Sequence, residues 1–100
     1  MGELRKALQE AVGFQWDEGN ADKNLEKHEV SDGECEQIFL NVPLVVGGDA
    51  AHSKEELRGY ALGETNEGRP LFVVFTIRRD LIRVISARDM TRKEQRRYRR

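Results

Sequence analysis

The sequence predicts an α+β fold: a small antiparallel β-sheet with helices packed on one face and a basic helix at the C-terminus. Three observations carry that expectation. Residues 71–77, LFVVFTI, form an apolar run rich in β-branched residues and too short for an ordinary helix, the composition of a buried strand. Residues 81–87, LIRVISA, follow after the polar interruption Arg78-Arg79-Asp80, the pattern of a hairpin. Thr91 then stands three residues before Glu94, a capping box opening a helix that carries Arg92, Lys93, Arg96, Arg97, Arg99 and Arg100.

Taken in order, residues 3–12 place Leu4, Ala7, Leu8, Ala11 and Val12 at helical spacing, and Gly13 ends that amphipathic helix. Phe14-Gln15-Trp16 alternates as a short edge strand does. Asp17 is expected to cap a helix running to about His28. Ser31-Asp32-Gly33-Glu34 is a second capping box, opening a helix through Cys35, Ile38, Phe39 and Leu40. Pro43 breaks it, Leu44-Val45-Val46 reads as a strand closed by Gly47-Gly48-Asp49, and His52 falls in a polar loop. Residues 55–64 alternate as a strand with small residues on one side, and Thr65-Asn66-Glu67-Gly68 turns the chain into the apolar strand. Short connections among the last four strands imply an antiparallel meander with one face at least partly open. Arg58, Arg78, Arg83 and Arg88 come from neighbouring strands or their ends. Arg83 and Arg88, five residues apart, point to opposite faces unless a bulge intervenes or Arg88 reaches round the strand end.

Composition narrows the function. One hundred residues, 38% hydrophobic, suffice for a single core, and the 35% charged fraction points to a thin domain with much surface. No segment resembles a signal peptide, and the run at residues 71–77 is far short of the ~18–20 residues that span a bilayer, so a soluble, cytoplasmic protein is expected. The single cysteine, Cys35, excludes an internal disulfide and a cysteine-based zinc cluster, and is expected to be a packed thiol. The net charge of −1 conceals two halves. Residues 78–100 hold ten Arg and Lys against three acids (+7), and residues 1–77 hold seven against fifteen (−8). A basic end dominated by arginine suits a polyanion or an acidic partner.

There is no phosphate-cradling glycine motif, no HExxH, no pair of histidines at ligand spacing and no nucleophile elbow around Ser31, Ser53 or Ser86. Arginine, lysine, histidine and carboxylate on a small sheet suit RNA cleavage, in which the substrate's own 2′-hydroxyl attacks the phosphodiester and the protein supplies acid, base and cations. The same inventory suits plain phosphate binding.

Residues 14–98 resemble the BrnT toxin family of bacterial type II toxin–antitoxin modules. The resemblance is carried by Phe14-x-Trp16-Asp17, Lys23-Asn24-Leu25-x-Lys27-His28, Val30-Ser31 leading to Ile38-Phe39, His52-Ser53, Glu56-x-Arg58 and Ala61-Leu62-Gly63. The closing block is the most specific: Val73-Val74-Phe75-Thr76, Ile82-Arg83-Val84-Ile85-Ser86-Ala87-Arg88 and Thr91-Arg92-x-Glu94-x-x-x-Tyr98. The resemblance implies a RelE-like fold and a ribonuclease toxin that cuts RNA without a metal or other cofactor and inhibits translation. It implies as partner a cognate BrnA-like antitoxin with a ribbon-helix-helix DNA-binding part, in a hetero-oligomer away from the membrane. The chain then divides into an N-terminal helical extension, residues 1–13, and a toxin domain, residues 14–100. The family usually carries an acidic residue before Arg58 and a bulky one after it; here they are Leu57 and Gly59.

Under this resemblance Arg58, Arg83 and Arg88 hold the scissile phosphate and His28 or His52 transfers protons. Lys23, Lys27, Arg78, Arg92 and Arg96 contact flanking phosphates. Competing structural roles are an ion pair of Arg83 with a sheet carboxylate such as Glu56, and, for Tyr98, anchorage of the last helix in place of stacking on a base. Arg97 is expected on the solvated side of that helix. A non-catalytic nucleic-acid-binding module and a co-repressor acting with its antitoxin are the alternative functions.

Overall fold

The structure is a computed structural model that describes residues 2–48 and 56–100. Its elements are α1 (Gly2–Glu10), β1 (Gly13–Phe14), α2 (Lys23–His28), α3 (Asp32–Leu40), β2 (Val45–Gly48), β3 (Leu57–Glu64), β4 (Pro70–Arg78), β5 (Leu81–Asp89) and α4 (Arg92–Tyr98). The strands form one five-stranded sheet in the order β1-β5-β4-β3-β2. β2 to β5 are the expected antiparallel meander. β1 is different: it pairs with β5 in parallel, Gly13 opposite Leu81 and Phe14 opposite Ile82, so the sheet is mixed at that edge. The reason is topological, since β1 reaches the sheet before α2 and α3 and is not joined to β5 by a hairpin.

Both capping boxes form. Ser31 accepts from the Glu34 amide while Glu34 accepts from the Ser31 amide, and Thr91 and Glu94 do the same at α4. Asp17 does not start a helix. Its carbonyl accepts from Asn20 and Ala21, its carboxylate accepts the Gly19 amide at 2.8 Å, and α2 begins only at Lys23, behind a left-handed Asp22. The expected N-terminal helix also ends earlier, at Glu10, and Gly13 belongs to β1. The β4–β5 turn places Arg79 and Asp80 at φ 49° and 64°, the left-handed pair that a two-residue hairpin needs to match strand twist.

The two faces of the sheet hold separate cores. On one, Leu71, Val73 and Phe75 of β4, Ala61 of β3 and Ile82, Val84 and Ala87 of β5 are covered by Leu4 of α1 and by Cys35 and Ile38 of α3. Phe39 meets the Phe75 ring edge-on at 5.1 Å. Burial pushes the Cys35 thiol up to about 12, so it packs as a neutral group. On the other face Leu62, Met90 and Tyr98 cluster with Val45 and Phe72. α4 therefore packs against the face opposite α1 and α3, so the helices do not all share one face. It covers one end of that second face, and among the described residues no other helix packs on it.

Candidate nucleic-acid interface

The open face is organised in cross-strand rows. Arg58, Thr76 and Arg83 are direct partners across β3, β4 and β5; Tyr60, Val74 and Ser86 form the next row, and Leu62, Phe72 and Arg88 the one after. Arg83 and Arg88 thus share a face despite their five-residue spacing. The cause is a bulge: Phe75 pairs with Val84 and Val74 with Ser86, leaving Ile85 as the extra residue. One inserted residue restores the alternation that five positions would break.

Two buried asparagines hold the backbone on either side of that bulge. β1 is too short to pair along the whole of β5, and Asn20 and Asn24 continue where it stops. The Asn20 amide donates to the Val84 carbonyl at 3.0 Å, and the Ala87 amide donates to Asn24 Oδ1 at 2.9 Å. Sequence reading missed this, although Asn24 stood inside the motif Lys23-Asn24-Leu25; polar residues in a short helix read as surface unless their partner strand is known.

Three arginines of this face, Arg78, Arg83 and Arg88, are each oriented by a carboxylate. Arg83 clasps Asp17 with two parallel bonds, Nη1 to Oδ2 at 2.8 Å and Nη2 to Oδ1 at 3.0 Å, and Nη1 also donates to Gln15. Its partner is Asp17, not Glu56. Glu56 instead pairs with Arg78, at 3.1 Å for Nη2. Arg88 makes a bidentate pair with Glu94 at 2.8 and 2.9 Å, and its guanidinium lies 4.3 Å from the Phe72 ring centre. Fork-to-fork geometry of this kind fixes the guanidinium plane as well as its position. The Arg83 guanidinium holds the Asp17 carboxyl below its ordinary value. Arg78 does the same for Glu56 and Arg88 for Glu94. Among the described residues, Arg83 and Arg88 each keep the Nε–H and one Nη2–H outside these pairs.

The other candidates are spread more widely. His28 is exposed at the end of α2, where its carbonyl accepts from Arg69. Arg69 also binds Asp89 and Glu34, and Asp89 pairs with Leu71 in the sheet register. That places His28 with a cluster on the helix-covered side, away from the arginine rows. His52 lies outside the described residues. Lys23 and Lys27 are exposed on α2 beside the β5 edge, and Arg92 and Arg96 are exposed on α4, where with Gln95, Arg99 and Arg100 they line a shallow groove. Tyr98 is only 6% exposed and its hydroxyl donates to the Pro43 carbonyl at 2.6 Å, which makes it the anchor of α4 and withdraws its ring from any base. Arg97 is not on the solvated side alone: its Nη2 donates to the Tyr60 hydroxyl at 2.8 Å on the open face. Among the described residues no group of three histidines, cysteines or carboxylates could hold a metal ion, and no helix is long and apolar enough to cross a membrane.

Fold and site together define an α+β protein whose second sheet face carries rows of arginines, Arg83 and Arg88 among them held by carboxylates. The family described as the ribonuclease toxin, BrnT, of type II toxin–antitoxin systems matches residues 16–94, and the chain belongs to it. Membership brings RNA as substrate and an antitoxin as partner. None of the curated proteins matches this chain.

Proposed function

We propose that this chain is a metal-independent endoribonuclease that cuts cellular RNA in the cytoplasm and thereby inhibits translation. It is neutralised by a cognate BrnA-like antitoxin that carries a ribbon-helix-helix DNA-binding part. In this reading the fold is RelE-like and the catalytic unit is residues 14–100, with residues 1–13 as an extension that buttresses β3. The observation that carries it is the Ile85 bulge, which sets Arg83 and Arg88 on the face of Arg58. RNA supplies its own nucleophile, the 2′-hydroxyl, so the protein has to position the phosphodiester and neutralise charge that grows on its oxygens. Guanidinium groups already fixed by Asp17 and Glu94 reorganise little when that charge appears, and preorganised donors of this kind lower the barrier most. Arg78, Lys23, Lys27, Arg92 and Arg96, around the rows, hold flanking phosphates.

The test is single-turnover cleavage with RNA affinity measured alongside. Arg83→Ala is expected to slow cleavage by about 10²-fold or more, on the scale of losing an oxyanion donor, while changing affinity modestly. Arg92→Ala, on the exposed side of α4, is expected to weaken binding slightly and leave the cleavage step near normal. Losses that are equal in the two variants and confined to affinity would instead favour a non-catalytic nucleic-acid-binding module or a co-repressor.

A further inference from the structure

The arginine rows can hold a phosphodiester, but cleavage also requires a proton for the departing 5′-oxygen, and His28 stands with the cluster on the other face. Resting on the ribonuclease reading, the geometry points to Tyr60 as the general acid of this site, with Arg97 as the cation that stabilises the phenolate it leaves. Tyr60 occupies the row between Arg58–Thr76–Arg83 and Leu62–Phe72–Arg88, on the same sheet face as the three arginines assigned to the phosphate.

Its ring is held from two sides. It stacks on Phe72 at 5.7 Å between centres and 20° between planes. It also lies across the backbone of Gly47, where a Cβ would fall 2.3 Å from Cζ and Oη; only glycine on β2 leaves room for this ring. The hydroxyl accepts the Arg97 Nη2–H at 2.8 Å, and the Arg97 guanidinium lies 5.6 Å from the ring centre. Arginine has no acceptor, so the tyrosine must be the acceptor in that bond and its own O–H proton stays available to another oxygen.

The step balances as follows. The 2′-oxygen forms a bond to phosphorus as its proton passes to water, the bond from phosphorus to the 5′-oxygen breaks, and that oxygen takes the Tyr60 proton. The products are a 2′,3′-cyclic phosphate, a 5′-hydroxyl and a tyrosinate paired with Arg97, which water reprotonates.

Tyr60→Phe keeps the ring, the Phe72 stack and the fit over Gly47 while removing the proton. With ordinary RNA, single-turnover cleavage is expected to fall about 10²-fold with affinity unchanged, the usual scale for a general acid. With an RNA whose scissile 5′-oxygen is replaced by sulfur, a leaving group that needs no proton, Tyr60→Phe should cut at close to the wild-type rate. Arg97→Ala should show the same dependence on leaving group. Equal losses on both substrates, or an unchanged rate on ordinary RNA, overturn the assignment while leaving the ribonuclease reading intact. Failure of the wild-type chain to cut RNA at all overturns both.

Discussion

Asn24 shows how far one side chain can act from the chemistry. It is 3% exposed, and its Oδ1 is the acceptor for the Ala87 amide beside the Ile85 bulge. Without that oxygen a buried N–H loses its partner, at a cost of about 1–3 kcal/mol. Asn24→Ala is therefore expected to lower unfolding stability by about 2 kcal/mol in urea titrations, whereas Leu25→Ala, at a position 48% exposed, should stay within about 0.5 kcal/mol of wild type. The contrast reverses what hydropathy suggests, since the polar neighbour is the buried one. Asn24 was legible as a residue to note but not as a structural one, because its partner is 63 positions away.

Among the elements, α1 and β3 belong together. Leu4 is 7% exposed, and its Cδ2 fills the space beside Gly59, where a Cβ would come within 2.5 Å of it and 2.6 Å of the Gly47 carbonyl oxygen. Gly59 follows Arg58 in β3, so α1 supports from beneath the strand that presents the first arginine row. This also accounts for glycine at a position where the family usually has a bulky residue: the volume comes from the helix. Leu4→Ala should lower the unfolding free energy by about 2 kcal/mol, near the low end for a buried leucine because it sits at the rim of the core, as read from denaturant melts. A melt unchanged within error would mean that α1 is docked without stabilising the sheet.

For the whole molecule, ion pairs tie successive elements together: Asp17 to β5, Glu34 and Asp89 to Arg69, Glu56 to β4 and Glu94 to β5. Arginine partners help to hold all five carboxyls below their ordinary values of 3.8 for aspartate and 4.5 for glutamate, and at Glu34 the Ser31 amide is the larger cause. The folded state thus binds protons more weakly than the unfolded one. The stabilisation is complete above the unfolded values and is lost as pH falls through the depressed ones. Thermal melts should be flat from neutrality to about pH 5 and drop progressively below it. Each pair is partly or wholly exposed, so the individual contributions are small, and salt should shrink the effect. A melting temperature independent of pH down to 3 would show that the pairs orient side chains without stabilising the fold.

The sequence by itself determined the local order: the two capping boxes, the strand runs at β4 and β5, the antiparallel meander and the basic end are all consequences of short-range periodicity and side-chain chemistry. Family membership was legible as well, in motifs spread from residue 14 to 98. The helix expected from Asp17 to about His28 begins only at Lys23, and the Asp17 carboxylate pairs with Arg83, 66 residues away. Parallel pairing of β1, placement of α4 on the second face, the Ile85 bulge and the position of Tyr60 over Gly47 were decided only by the tertiary structure. Each depends on which segments meet across the sheet, and a pattern of period two or 3.6 says which face a side chain takes within its own element but not what stands opposite it.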